Sequence, residues 1–277
     1  MKAVLFRIIT LLLLTNCFSQ NFQGIAYYSS QTQMKEFNIT SNDMTPQMKE
    51  QLMEKVKKGF EKTYILNFTN YESVYQEEEK LATPSPSSGL KVQMMFSGSN
   101  RSKLYKNFKT QQYISEEEIL NKEFLVTDSL EKFKWVMVNE QKKIGNYNCY
   151  KALLIIPVTI EDRKEYEESK KKKEQGETNF IEISEPKEQI IEAWYTLDIP
   201  VSNGPGKYWG LPGLILELHE FNTTILCSKI VINPETKIEI KIPKAGKKVS
   251  QKEFDEIQEK KFKSMMNEKG AIEIKIN

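Results

Sequence analysis

The sequence predicts a mainly β protein: a β-rich α+β chain on a large antiparallel sheet, curved or partly closed, with a few flanking helices. Three observations carry this. Apolar and polar residues alternate with period two in several separate segments. Those segments are rich in aromatic and β-branched residues and are bounded by turn formers. Helical periodicity is confined to few stretches.

The elements follow in chain order. Residues 1–19, MKAVLFRIITLLLLTNCFS, place Lys2 and Arg7 ahead of an apolar run from Ile8 to Leu14 and end on small residues. That is the layout of a secretory signal peptide, and the run is too short to anchor in a bilayer. Cys17 and Ser19 precede an expected cut at Gln20; the rival reading, a lipid anchor on Cys17, is opposed by Asn16 just before it. The mature chain is therefore expected to be soluble, periplasmic or extracellular. Residues 20–277 read as one domain with polar insertions near 76–90 and 161–188.

SNDMTPQMKEQLMEKVKKGF, from Ser41, has cap residues and Met48, Leu52, Met53 and Val56 at helical spacing. YILNF (64–68) reads as a strand, and ATPSPSSG (82–89) has loop composition. In KFKWVMV (132–138), Phe133, Trp135 and Met137 share the expected apolar face. GNYN then turns the chain into NCYKALLII (148–156). The charged run from Glu161 reads as a solvated helix or a disordered loop. IIEAWYT (190–196) and TTILCSKIVI (223–232) are strands, and NPET (233–236) is expected to turn the latter into a strand KIEIKI (237–242). Ser250, with Glu253 three residues later, opens a helix through Phe254, Ile257, Phe262 and Met265.

Composition removes several function classes. The chain has 40 Lys+Arg and 38 Asp+Glu; losing Lys2 and Arg7 with the signal leaves 38 of each, without the basic field of a nucleic-acid binder. No transmembrane segment is expected in the mature chain. His219 is the sole histidine, so zinc sites rich in histidine and paired-histidine shuttles are excluded, and no metal or cofactor is expected. Cys149 and Cys227 remain after processing and form a disulfide candidate, provided their strands are neighbours; the alternative is two buried thiols.

GxSxG, HExxH, GxxxxGK[ST] and CxxC are all missing. In LILELHEF, Leu214, Leu216 and Leu218 form the expected apolar face, leaving Glu217 and His219 together on the other. Ahead of it, DIPVSNGPGKYWGLPG concentrates Gly204, Pro205, Gly206, Gly210, Pro212 and Gly213, the signature of an ordered loop. Gly210 to Gly213 is expected to be a fixed turn feeding a strand Leu214 to Leu218, in which a positive φ at Gly213 would exclude a side chain, with Tyr208 and Trp209 held at the rim of the sheet. Against this stands a simpler reading, in which Trp209 is a lid on the core.

Here the residues resemble the GLPGLI family of Bacteroidetes secreted proteins. The namesake hexapeptide stands as Gly210, Leu211, Pro212, Gly213, Leu214 and Ile215, flanked by AWYTLDIPVSNGP, DSLEKFKW and KKIGNYNCYKA. The resemblance runs from about Phe124 to Ile232. It implies an exported protein of unknown function and carries over no catalytic residue. It also implies a bacterial source, in which Asp128-Ser129-Leu130 is similar to a three-residue O-glycosylation acceptor, although Asp-Ser is equally ordinary turn chemistry.

Two functions fit these observations. One is a non-enzymatic binding or envelope-assembly module for a peptide, lipid or cell-envelope protein, with Tyr208, Trp209, Glu217 and His219 as contact residues. The other is a hydrolase of unrecognised class using Glu217, His219 and a polar loop residue.

Overall fold

The computed structural model describes residues 22–33, 47, 61–78, 100–119, 121–174 and 185–265. The expected signal peptide and the ATPSPSSG insertion lie outside these residues, as does the helix from Ser41 apart from Gln47.

Strands β1 (Gln23–Thr32), β2 (Glu61–Thr69), β3 (Glu72–Glu77), β4 (Asn100–Asn107), β5 (Gln112–Ile119) and β6 (Lys122–Ser129) form one antiparallel meander. A second meander consists of β7 (Trp135–Ile144), β8 (Tyr147–Ile156), β9 (Gln189–Thr196), β10 (Leu214–Glu220) and β11 (Thr223–Ile232). The two join where β1 pairs with β11. A short β12 (Lys247–Val249) adds parallel to β6, completing an open, mixed, 12-stranded sheet with β12 and β7 at its edges.

Alternation is clearest in β1 and β5 of the first meander. In β1, Gly24, Ala26, Tyr28 and Ser30 are buried, and the register sets Ala26 against Leu66 and Leu66 against Tyr75. These residues form the main core with Leu214 and Leu216, and the Tyr28 hydroxyl donates to the Ile215 carbonyl at 2.7 Å. Burial raises that phenol well above its ordinary pKa. A second core gathers Ala152, Leu154, Ile191, Tyr195, Tyr208, Leu211, Ile215 and Leu218.

Among the described residues two helices of several turns follow, α1 (Ile160–Glu174) and α2 (Gln251–Met265). The charged run is thus helical over α1, which has no apolar stripe. In α2 the expected capping box is present: Ser250 N donates to Glu253 Oε2 at 2.8 Å, and Glu253 N donates to Ser250 Oγ at 3.3 Å. Phe254 packs edge-on against Phe124, holding α2 to β6.

Three sequence expectations fail locally. KIEIKI forms no strand and Ile242 is exposed, so NPET is a bend rather than a hairpin turn. Alternation alone did not supply a neighbour to pair with. Met137 is exposed while Phe133 and Trp135 are packed, because the register shifts between Met137 and Gln141. In β10 a second shift lies between Ile215 and Glu217, so Leu214 and Leu216 enter one core while Ile215 and Leu218 enter the other. A single leucine face therefore does not exist; β10 is buried on both sides as far as the bulge.

Candidate functional site

The segment between β9 and β10 is a folded clasp. Val201 N bonds Ile199 O and Asn203 N bonds Val201 O, both at 2.8 Å, two successive tight turns. Leu214 N and Ile215 N then reach back to Ile199 O and Asn203 O, both at 3.0 Å. Lys106, fully buried on β4, donates its ammonium to the carbonyls of Gly204, Gly206 and Tyr208 at 3.1, 2.9 and 3.3 Å. A cation on one meander thereby fixes the clasp of the other.

The hexapeptide glycines have separate reasons. Gly210 has φ +98°, a left-handed conformation unfavourable to side chains. Gly213 does not meet the condition of a positive φ. Its hydrogen is required instead because a Cβ there would lie 1.9 Å from the Thr196 carbonyl oxygen. Close backbone approach, rather than a special dihedral, specifies this position.

Tyr208 and Trp209 point inward. Tyr208 is buried, packs against Phe133 and Trp135, and donates its hydroxyl to Glu220 Oε1 at 2.5 Å. Burial, then the Glu220 carboxylate, holds its pKa far above that of a free phenol. Trp209 is half-buried: its indole N–H donates to Glu131 O at 2.8 Å, its carbonyl accepts from Trp135 Nε1 at 2.8 Å, and its ring meets Phe108. Tyr208 thus lies in the interior rather than at the rim, and Trp209 bridges three segments.

Glu217 and His219 do share one face, with neighbours that sequence reasoning missed. Register sets Glu217 beside Trp194, and His219 beside both Glu192 and Thr224. Glu217 Oε1 accepts from Lys142 Nζ at 2.7 Å and meets His219 Nε2 at 2.5 Å; His219 Nδ1 lies 3.1 Å from Thr224 Oγ1. Lys142 also sits 4.1 Å from the Trp194 ring centroid. Lys151 bridges Glu140 and Glu192, and the Glu192 bond raises its pKa. Burial works against ionisation of Glu192, yet bonds from Lys151 and the Trp194 indole hold its pKa below the usual carboxylate value. The result is a ladder of charged groups across β7 to β10, closed on β11 by the Thr224 hydroxyl. Thr224 was legible in principle, because the two-residue Phe221–Asn222 turn sets 219 opposite 224.

Beyond the ladder the same face becomes apolar at the open edge. Val136 pairs with Leu153, and Ile155 pairs with Ile190; Val136, Ile155 and Ile190 are 49%, 43% and 56% exposed. The signal was the unbroken run Ala152–Ile156, which makes both faces of β8 apolar.

The disulfide expectation does not hold. Cys149 on β8 and Cys227 on β11 are separated by β9 and β10, and both are free thiols. Burial pushes Cys149 up to about 11 and Cys227 up to about 12. At the end of β6, Asp128 Oδ1 accepts from Ser129 N at 2.7 Å and Oδ2 from Gln251 N at 3.2 Å, and Ser129 is exposed. The Ser129 and Gln251 amides lower the Asp128 pKa. Among the described residues no group of three His, Cys, Asp or Glu could hold a metal ion, and no helix is long and apolar enough to cross a membrane.

No curated protein matches the chain. Two solved structures of PNGF-II, in space groups C2 and P21, align with 87% of it at 13% and 14% identity and a TM-score of 0.46. The chain spans about a third of their length, 33% and 34%. A family model described as a protein of unknown function (Porph_ging) matches residues 135–217, from the first residue of β7 to Glu217 in β10. That span contains the edge strand, the clasp and most of the charge ladder, and it fits a GLPGLI-type, Bacteroidetes-associated family of unknown function.

Proposed function

We propose that this is an exported binding module, without chemistry of its own, that docks an extended segment of a cell-envelope protein beside β7. One observation carries the reading: Val136, Ile155 and Ile190 form an exposed apolar strip at an open sheet edge. An edge strand presents unpaired backbone donors and acceptors, and an extended partner can satisfy them while its side chains meet the strip. The adjoining ladder of Lys142, Glu217, Lys151 and Glu192 gives the docked segment polar neighbours at its rim. Apolar strips of this kind mark interaction sites.

A photo-crosslinking residue at position 190 or 136, with Lys241 as a remote control, tests this in the producing bacterium. The expected result is one discrete envelope-protein adduct at 190 and 136 only. It should be lost in an Ile155→Asp variant whose melting temperature is unchanged. Adducts identical to those from position 241 would overturn the proposal.

One observation favours a hydrolase as the second reading: Thr224, His219 and Glu217 are linked as hydroxyl, imidazole and carboxylate. Glu217 is shared with Lys142, however, which makes the set equally a strand-pairing ladder. Ester turnover by the wild type that disappears in both Thr224→Val and His219→Ala would favour the enzyme.

A further inference from the structure

A cavity of about 460 Å³ lies away from the edge strip, between β4, β5, the end of β6, the clasp and the first residue of α2. Its size falls within the range of small-molecule sites, about 300–1,000 Å³. Its walls are tied to one another. Tyr113 on β5 donates to Gln251 Oε1 at 2.6 Å, Gln251 N donates to Asp128, and Lys106 fixes the clasp. The cavity is therefore preformed, which lowers the ordering cost of filling it.

The lining has three chemical parts. Leu104 and Leu130 are buried and, with Phe133, supply an apolar wall. Asp128 and Glu131 supply carboxylates; amide bonds favour the ionised Asp128, whose Oδ1 accepts from both the amide and the hydroxyl of Ser129, while Oδ2 accepts from Gln251 N alone and retains a lone pair for a further donor. Lys207 supplies an exposed ammonium, its nitrogen 5.5 Å from the Tyr208 ring centroid. The ammonium of Lys106 is already engaged by three carbonyls, so Lys207 is the cation best placed to meet a ligand.

We infer that this cavity binds a small apolar zwitterion, an amino acid or short peptide with a free α-ammonium and a free carboxylate. The ammonium would pair with Asp128 and Glu131, the carboxylate with Lys207, and the side chain with Phe133 and the leucines. A ligand of one sign only would face a like charge at one end of the site, and an uncharged one would forgo both pairs. The inference is independent of the docking edge, which lies on other strands.

Calorimetric titration of the full mature chain at neutral pH tests it, with L-leucyl-L-phenylalanine, free L-phenylalanine and the N-acetylated, C-amidated dipeptide as probes. The expected result is saturable 1:1 binding of a charged probe and at least tenfold weaker binding of the blocked one. Preference between the dipeptide and phenylalanine identifies which source of the zwitterion fits. Lys207→Glu and Glu131→Lys, both at exposed positions, should each weaken binding at least tenfold with an unchanged melting temperature. Absence of saturable binding by either charged probe, or equal binding of the blocked dipeptide, would overturn the inference.

Discussion

Lys106 and Lys142 each bring an ammonium to oxygens in the stretch 204–217, yet they do different work because their surroundings differ. Lys106 is fully buried, and its partners include three backbone carbonyls of the clasp. Lys142 is about a third exposed, and its partner is the Glu217 side chain, itself shared with His219. A buried cation with fixed acceptors locks geometry, because losing it strands polar groups in the interior. A half-exposed pair is screened by solvent and can change partners. The same chemistry therefore makes a structural fixture in one place and an adjustable surface in the other.

The comparison breaks first at Lys106. Lys106→Met should lower stability by roughly 3 kcal/mol or more, because three carbonyls lose their charged donor at about 1 kcal/mol or more each. Urea unfolding followed by tryptophan fluorescence measures this, and a loss below about 1 kcal/mol would mean the clasp stands without its cation. Next comes the backbone contact under Gly213. Gly213→Val should cost about 3 kcal/mol through overpacking against Thr196, whereas Gly210→Ala should cost only about 1–2 kcal/mol for its left-handed φ. Equal losses would refute the distinction between close approach and dihedral.

A pH titration sharpens the contrast from the buried side. Both thiols have folded pKa values raised above the ordinary 9.0, to about 11 and about 12. Their contribution is complete below about pH 9 and is lost as pH rises through the folded values. Wild-type stability should thus fall more steeply between pH 9 and 12 than that of a Cys149→Ala/Cys227→Ala variant. Parallel curves would contradict the burial of the thiols. The smallest effect belongs to Lys142→Ala, about 1 kcal/mol or less, shrinking further in high salt.

Much of this was readable from the chain, for identifiable reasons. TTILCSKIVI and IIEAWYT are dense in β-branched and aromatic residues, and their strands appear nearly residue for residue. Ser250 and Glu253 announced α2 because a capping box is local chemistry. What stayed hidden depends on register. The bulge after Ile215 reassigns alternate leucines to two cores, and no period reveals a one-residue shift. Lys106 was hidden for a related reason. It follows Leu104 on the inward side of β4, and only the returning clasp supplies its acceptors. The edge strip on β7 to β9 was hinted at by Ala152–Ile156 but required knowing that, among the described residues, β7 has no outer neighbour.

The junction between β1 and β11 bears on the order of folding. Each meander is made of strands that are neighbours in sequence, and its longest connection, 157–188, is far shorter than the 210 positions across which Gln23 and Asn233 bond. Closing so long a loop is entropically slow, and it must precede any reward from the contacts it creates. Completion of the main core waits for that closure, because Ala26 and Tyr28 meet Leu214 and Leu216 there. The chain is thus two more local units and one slower, long-range joint. Until the joint forms, β1 is a bare strand edge, and the first meander is open to pairing with other chains.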